Sequence, residues 1–189
     1  MRTFIWLLGL LVLIALGAGA FIWSGSYNVA ADDPHWPLTN WMMVTVRERS
    51  FAAHTTGIDV PDLTGEAPIR TGAGNYDAMC AGCHLEPGED ETELSAGLYP
   101  APPNLWRDGI DNPAEAFWII KHGIKMSGMP AWGKSMDDQS IWGMVALLQR
   151  LPELSKDQYH ELVESSEGHS HGPGEEHVHA DDEHHEHND

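Results

Sequence analysis

Cys80-Ala81-Gly82-Cys83-His84 is the stretch whose residue types and spacing most directly define a chemistry. C-x-x-C-H is the attachment signature for c-type haem. Two thiols three residues apart can add to the two vinyl groups of one porphyrin. The imidazole of the next residue, His84, then reaches the iron as proximal ligand. A zinc site would need further Cys or His pairs at matching spacing, and Cys80 and Cys83 are the only cysteines in the chain. A disulfide oxidoreductase would need a β-α-β context around the motif, which the surrounding pattern lacks.

Haem proteins that carry electrons commonly fill both axial positions, often with His and Met. The segment Gly123-Ile124-Lys125-Met126-Ser127-Gly128-Met129-Pro130 has the glycines and proline of a loop that can curl over a haem face. Met129 is the preferred distal ligand, because Pro130 fixes the backbone immediately after it. Met126 is the runner-up and Met136 the third choice, and both read more naturally as apolar filler.

From about Gly72 to Pro152 the chain resembles a class I cytochrome c. Gly72 and Tyr76 precede Cys80 as a small and an aromatic residue do in the family's first helix. Pro103-Asn104-Leu105 resembles the segment below the proximal histidine, and Met129-Pro130 the distal ligand loop. Met144 to Leu148 falls where the last helix crosses the first. Leu147 stands where many members carry an aromatic. The resemblance implies that the Pro103 carbonyl accepts the Nδ1–H of His84, a bond that orients the ring, and that Leu105 packs on the haem. It also implies attachment of haem on the periplasmic side of a bacterial inner membrane.

The elements that must position these residues read as all-α. Asn112-Pro113-Ala114-Glu115 combines an N-cap, a proline at the first helical position and a glutamate three residues on. That helix should stop near Gly123. Ser135 and Asp138 are expected to open the last helix of the domain, with Ile141, Met144, Val145 and Leu148 on its buried face. Ser155 with Gln158 caps one more short helix to about Glu164. Leu85 to Leu98, rich in Glu, Asp and Gly, reads as a solvated loop. No period-two apolar run suggests a sheet.

Ahead of this domain, Phe4 to Trp23 is nearly unbroken apolar sequence, long enough to span a bilayer as a helix. Arg2 precedes it and Asp32 and Asp33 follow, an order that favours a cytoplasmic N-terminus and an exported remainder. An uncleaved single-pass anchor is preferred; a signal peptide cleaved near Ala18-Gly19-Ala20 is the alternative. Asn40 to His54 reads as a helix with an incomplete stripe of Trp41, Met42, Val44 and Phe51. It either lies on the bilayer surface or packs on the haem domain. Val60-Pro61 to Ala67-Pro68 reads as a linker.

The stretch from Ser165 to Asp189 holds seven histidines and eight acidic residues, with no lysine or arginine. It cannot bury enough apolar surface to fold and is expected to be disordered. His169, His171, His177, His179, His184, His185 and His187 recur at close spacings that suit Zn, Cu or Ni. A solubilising acidic tail is the alternative.

The expected organisation is thus an anchor (1–23), a juxtamembrane helix and linker (24–67), a cytochrome c domain (68–152), a short helix (153–164) and a tail (165–189). A formal net charge of −19 makes nucleic acid a poor partner, since DNA binding needs a basic face. The expected function is one-electron transfer through one covalent haem c between a redox protein donor and acceptor. The chain is not expected to be an enzyme in its own right. The alternatives are an electron-entry subunit of a larger membrane oxidoreductase or oxidase, and a metal-handling protein with a redox haem.

Overall fold

No proline interrupts the apolar run at the N-terminus, and it forms a single helix, α1 (Arg2–Trp23). The computed structural model describes residues 1–169, and the chain divides into two units, Met1–Trp36 and the residues from Pro37 on. His171, His177, His179, His184, His185 and His187 lie outside the described residues.

In the first unit, α1 is long and apolar enough to cross a membrane, and none of its side chains is buried. At 1.5 Å per residue it extends about 33 Å, close to the hydrocarbon thickness of a bilayer. Beyond it the chain folds back on itself. Trp36 lies against Phe21, with ring centroids 5.9 Å apart, and meets Tyr27 edge-on at 5.1 Å. The Tyr27 hydroxyl and His35 Nδ1 share a hydrogen bond of 2.8 Å.

The second unit contains α2 (Pro37–His54), α3 (Glu66–Met79), α4 (Ala81–His84), α5 (Glu93–Ala96), α6 (Leu105–Asp108), α7 (Pro113–His122), α8 (Asp138–Arg150) and α9 (Lys156–Glu164). Short 3-10 turns cover Trp132–Lys134 and Leu151–Glu153. All regular structure among the described residues is helical.

Local chemistry explains several helix ends. Asn112 Oδ1 accepts the Ala114 and Glu115 N–H groups at the start of α7, and Gly123, at φ +65°, ends it. The Ser155 and Gln158 side chains form a reciprocal capping box on α9. The start of α8 differs from the sequence expectation. Asp137 is the cap, its carboxylate accepting the Ser140 N–H at 2.7 Å. Ser135 instead donates to the Trp132 carbonyl and closes the preceding turn. A second difference lies upstream. Glu66, Ala67 and Pro68, expected as linker, form the first turn of α3, where an unpaired N–H makes proline tolerable.

The core is the crossing of α3 and α8. Ile69, Ala73 and Tyr76 from α3 join Ile141, Met144, Val145, Leu147 and Leu148 from α8 in one buried cluster. Gly72 and Gly143 bring the two backbones together. A Cβ on Gly72 would overlap the Gly143 carbonyl and lie 2.9 Å from the Met144 nitrogen. A Cβ on Gly143 would lie 2.9 Å from the Pro68 carbonyl oxygen. Leu147 is fully buried, so an aliphatic side chain fills the crossing at the position where many members of the family it resembles carry an aromatic. Aromatic packing occurs alongside it instead, with Phe117 and Trp142 stacked at 4.1 Å and 10°.

The apolar residues of α2 do not share one face. Phe51 is buried and meets Trp118 of α7 edge-on at 5.8 Å, whereas Trp41 and Met42 are exposed. The domain is completed by α9, whose Tyr159 is fully buried and set edge-on to Tyr76 at 6.3 Å.

Candidate haem-binding site

The attachment motif sits where α3 breaks. Cys80 ends α3 with φ −121° and ψ −37° and begins the single turn α4. The carbonyl of Cys80 accepts the N–H groups of both Cys83 and His84, at 3.0 and 2.8 Å. One helical turn therefore carries both thiols and the imidazole. Cys80 is buried and Cys83 partly exposed. Burial, reinforced by the neighbouring Cys83, pushes the Cys80 thiol of the unmodified chain up to about 12. A thiol active in disulfide exchange needs a depressed value, and burial here acts in the opposite direction. Among the described residues, no group of three or more His, Cys, Asp or Glu side chains is placed to hold a metal ion.

His84 is positioned by a bond from outside the motif. Its Nδ1 lies 2.9 Å from the Pro103 carbonyl oxygen. A carbonyl can only accept, so Nδ1 carries the proton and Nε2 is left with its lone pair. Burial lowers the His84 pKa, and the Pro103 bond offsets this only in part. The ring is therefore held neutral, the form that ligates a metal. Asn104 keeps Pro103 in place by capping α6, its side chain accepting the Arg107 N–H. Leu105 and Trp106 pack on the core from the same turn, and the Trp106 indole donates to the Glu89 carbonyl at 2.9 Å.

The three candidate methionines have different environments. Met126 is 87% exposed on a left-handed backbone with φ +58°. Met136 is 4% exposed and belongs to the core cluster. Met129 is partly buried against that core. Its loop is closed by local bonds. The Ile124 N–H donates to the Met129 carbonyl at 3.1 Å, and the Ser127 hydroxyl donates to the Ile124 carbonyl and accepts the Met129 N–H. Gly123 permits the closure, since a Cβ there would lie 2.7 Å from the Pro130 carbonyl carbon. Leu98 packs over the loop at Gly128.

Several positioning residues escaped the sequence reading. Leu85, immediately after the motif, adopts φ +68°, an uncommon conformation for a branched side chain. It is buried, and its carbonyl accepts the Tyr76 hydroxyl at 2.7 Å. Thr92 donates to the Gly82 carbonyl inside the motif and also caps α5 with Ser95. The Leu85–Leu98 stretch is thus a largely solvated loop, as expected, but one tied down by α5, the buried Leu85 and the Thr92 bond to the motif. Its signal, Thr92 three residues ahead of Ser95, resembles a capping box but lacks the usual Glu or Gln. His169, expected as a tail metal ligand, has its Nδ1 3.1 Å from Asn75 Oδ1 on α3.

The residues present fit a covalently held haem. Two thiols share one turn, an oriented neutral imidazole has a free lone pair, and a partly buried thioether sits in a closed loop. Residues 67–148 match the family model described as cytochrome C oxidase, cbb3-type, subunit III. No curated protein and no solved structure matches the chain. With its helical fold and its Cys80-to-His84 turn, the segment 67–148 is a c-type cytochrome domain of the class I kind, a domain that implies covalently bound haem c.

Proposed function

We propose that the chain is a membrane-anchored one-electron carrier with His84 and Met129 as the axial pair, its haem domain on the periplasmic side of a bacterial inner membrane. Cys80 and Cys83 would hold the haem through thioethers, and the haem supplies Fe(II)/Fe(III) chemistry. The protein's part is to hold both ligands through the redox change. His84 is locked by Pro103, and Met129 by the Ile124–Met129 and Ser127 bonds. The observation that carries the reading is the single turn that bears both thiols and the Pro103-oriented imidazole. With Met129 as the second ligand no position would be left open for a substrate, and carriage of electrons is the remaining role. The apolar α1 supports the anchor by its length and composition.

A second reading is favoured by the family match, whose description names an oxidase subunit. In that reading the same domain delivers electrons into a larger membrane oxidase. Of the lysines around the ligand loop that could steer an acidic partner, Lys121 is engaged with Asp138 at 2.6 Å. Lys125 and Lys134 are exposed. The metal-binding role of the tail rests on its sequence pattern alone and is independent of the haem.

The ligand assignment is tested by Met129→Ala. Haem should remain covalently attached, and the sulfur–iron absorption band of the oxidised protein should vanish. The potential should fall by on the order of 0.1 V, a fraction of the about 0.8 V that axial ligation spans. Met126→Ala should change neither. The reverse pattern would exclude Met129.

A further inference from the structure

We infer that the first half of α2 is a second membrane contact, lying along the bilayer surface with Leu38, Trp41, Met42 and Val46 turned into the lipid. This rests on the membrane-anchored reading of α1. The four side chains are 70%, 62%, 52% and 67% exposed. At about 100° per residue they fall within one face of the helix. Exposed apolar faces of this kind mark interaction sites, and tryptophan suits the boundary between lipid and water. No charged residue occurs from Pro37 to Val46, in a chain of net charge −19. The first cation on that face is Arg49, exposed and seven residues after Met42, where a long basic side chain can reach a lipid phosphate.

Two further observations favour lipid as the occupant. The ring of Trp36 lies 5.9 Å from that of Phe21, a residue of the apolar α1. The chain has thus returned to the level of the anchor's end when it reaches residue 36. Pro37, where α2 begins, is one Cα step of about 3.8 Å further on. The other half of α2 is committed elsewhere, with Phe51 buried against Trp118 of the haem-bearing unit.

The test uses the full-length holoprotein in phosphatidylcholine nanodiscs, one copy per disc. With both native thiols engaged by haem, single substitutions Met42→Cys, Asn40→Cys and Leu11→Cys each give one site for a spin label. Asn40 is exposed and two residues, about 200°, from Met42 around the helix. Accessibility to oxygen, which partitions into lipid, is compared with accessibility to a water-soluble nickel chelate. The expected result is a several-fold higher oxygen-to-nickel ratio at positions 42 and 11 than at position 40. A lipid signal at 11 with an aqueous one at 42 would overturn the inference and leave the anchor standing. A label at 42 shielded from both reagents would assign the face to protein, and lipid signals at both 40 and 42 would mean a submerged helix; either overturns it. An aqueous label at 11 would remove the anchor reading itself, and the inference with it.

Discussion

Helix α3, which leads into the haem motif, is gripped from two sides by different means. Against α8 the grip is backbone on backbone. Gly72 and Gly143 allow an approach that any side chain would prevent, and aliphatic residues fill the space around it. Against α9 the grip centres on one large ring with a polar tip, with Leu162 and Val163 partly buried against the same core. Tyr159 is buried beside Tyr76 and donates its hydroxyl to Asp77 at 3.1 Å. At the rim, Glu86 takes Lys156 at 3.0 Å and His160 at 3.2 Å. Burial raises the Glu86 carboxyl, but these two partners outweigh it and hold the group below its usual value. The α8 crossing lies within the family-matched segment, and α9 lies beyond its end at residue 148. The shared crossing depends on shape and tolerates no added atom. The additional helix depends on separable contacts that can be removed one by one.

The sharpest way to break this contrast is at Gly72. Gly72→Ala should cost about 3 kcal/mol or more, because both neighbours of the new methyl are backbone and cannot rotate away. Denaturant midpoints followed by haem absorbance would measure it. A loss under about 1 kcal/mol would mean that the helices can separate at little cost. Next in size is Tyr159→Ala, which removes the buried ring and should cost about 2–3 kcal/mol, less than a truncation in the central core because α9 is peripheral. Tyr159→Phe keeps the ring and loses only the bond to Asp77, with an expected cost of about 1 kcal/mol. If the two variants at Tyr159 proved equal, the polar tip and not the ring would hold α9. The smallest effect belongs to Glu86→Gln. Lys156 and His160 are about half exposed, so the loss should stay under about 1 kcal/mol and shrink as salt is added. Hydrogen exchange in α9 at low and high salt would detect it, and α8 should show no such dependence.

The helices most legible in the sequence are those whose ends are set by their own neighbours. Asn112-Pro113 and Ser155 with Gln158 start α7 and α9 through bonds spanning three residues or fewer. Where a second polar residue competes nearby, the reading slips: Ser135 looked like part of a helix start, yet it closes a turn and leaves capping to Asp137. The stripe of Trp41, Met42, Val44 and Phe51 misled for a related reason. Apolar character marks a residue as able to be buried, and says nothing of which neighbour will bury it.

Spacing pointed to the haem chemistry, because C-x-x-C-H can set two thiols and an imidazole on one helical turn. A continuous apolar run likewise determined that α1 is long enough to span a bilayer, since length and composition are properties of the segment itself. Tertiary structure decided the contacts whose partners are distant in the chain. It left Met126 exposed, buried Met136 and packed Met129 partly buried against the core, brought Gly72 onto Gly143, carried Tyr159 back to Asp77, and held Leu85 at positive φ with its carbonyl bonded to the Tyr76 hydroxyl. Each of these depends on the path of the intervening chain, and a local pattern of side chains does not encode that path.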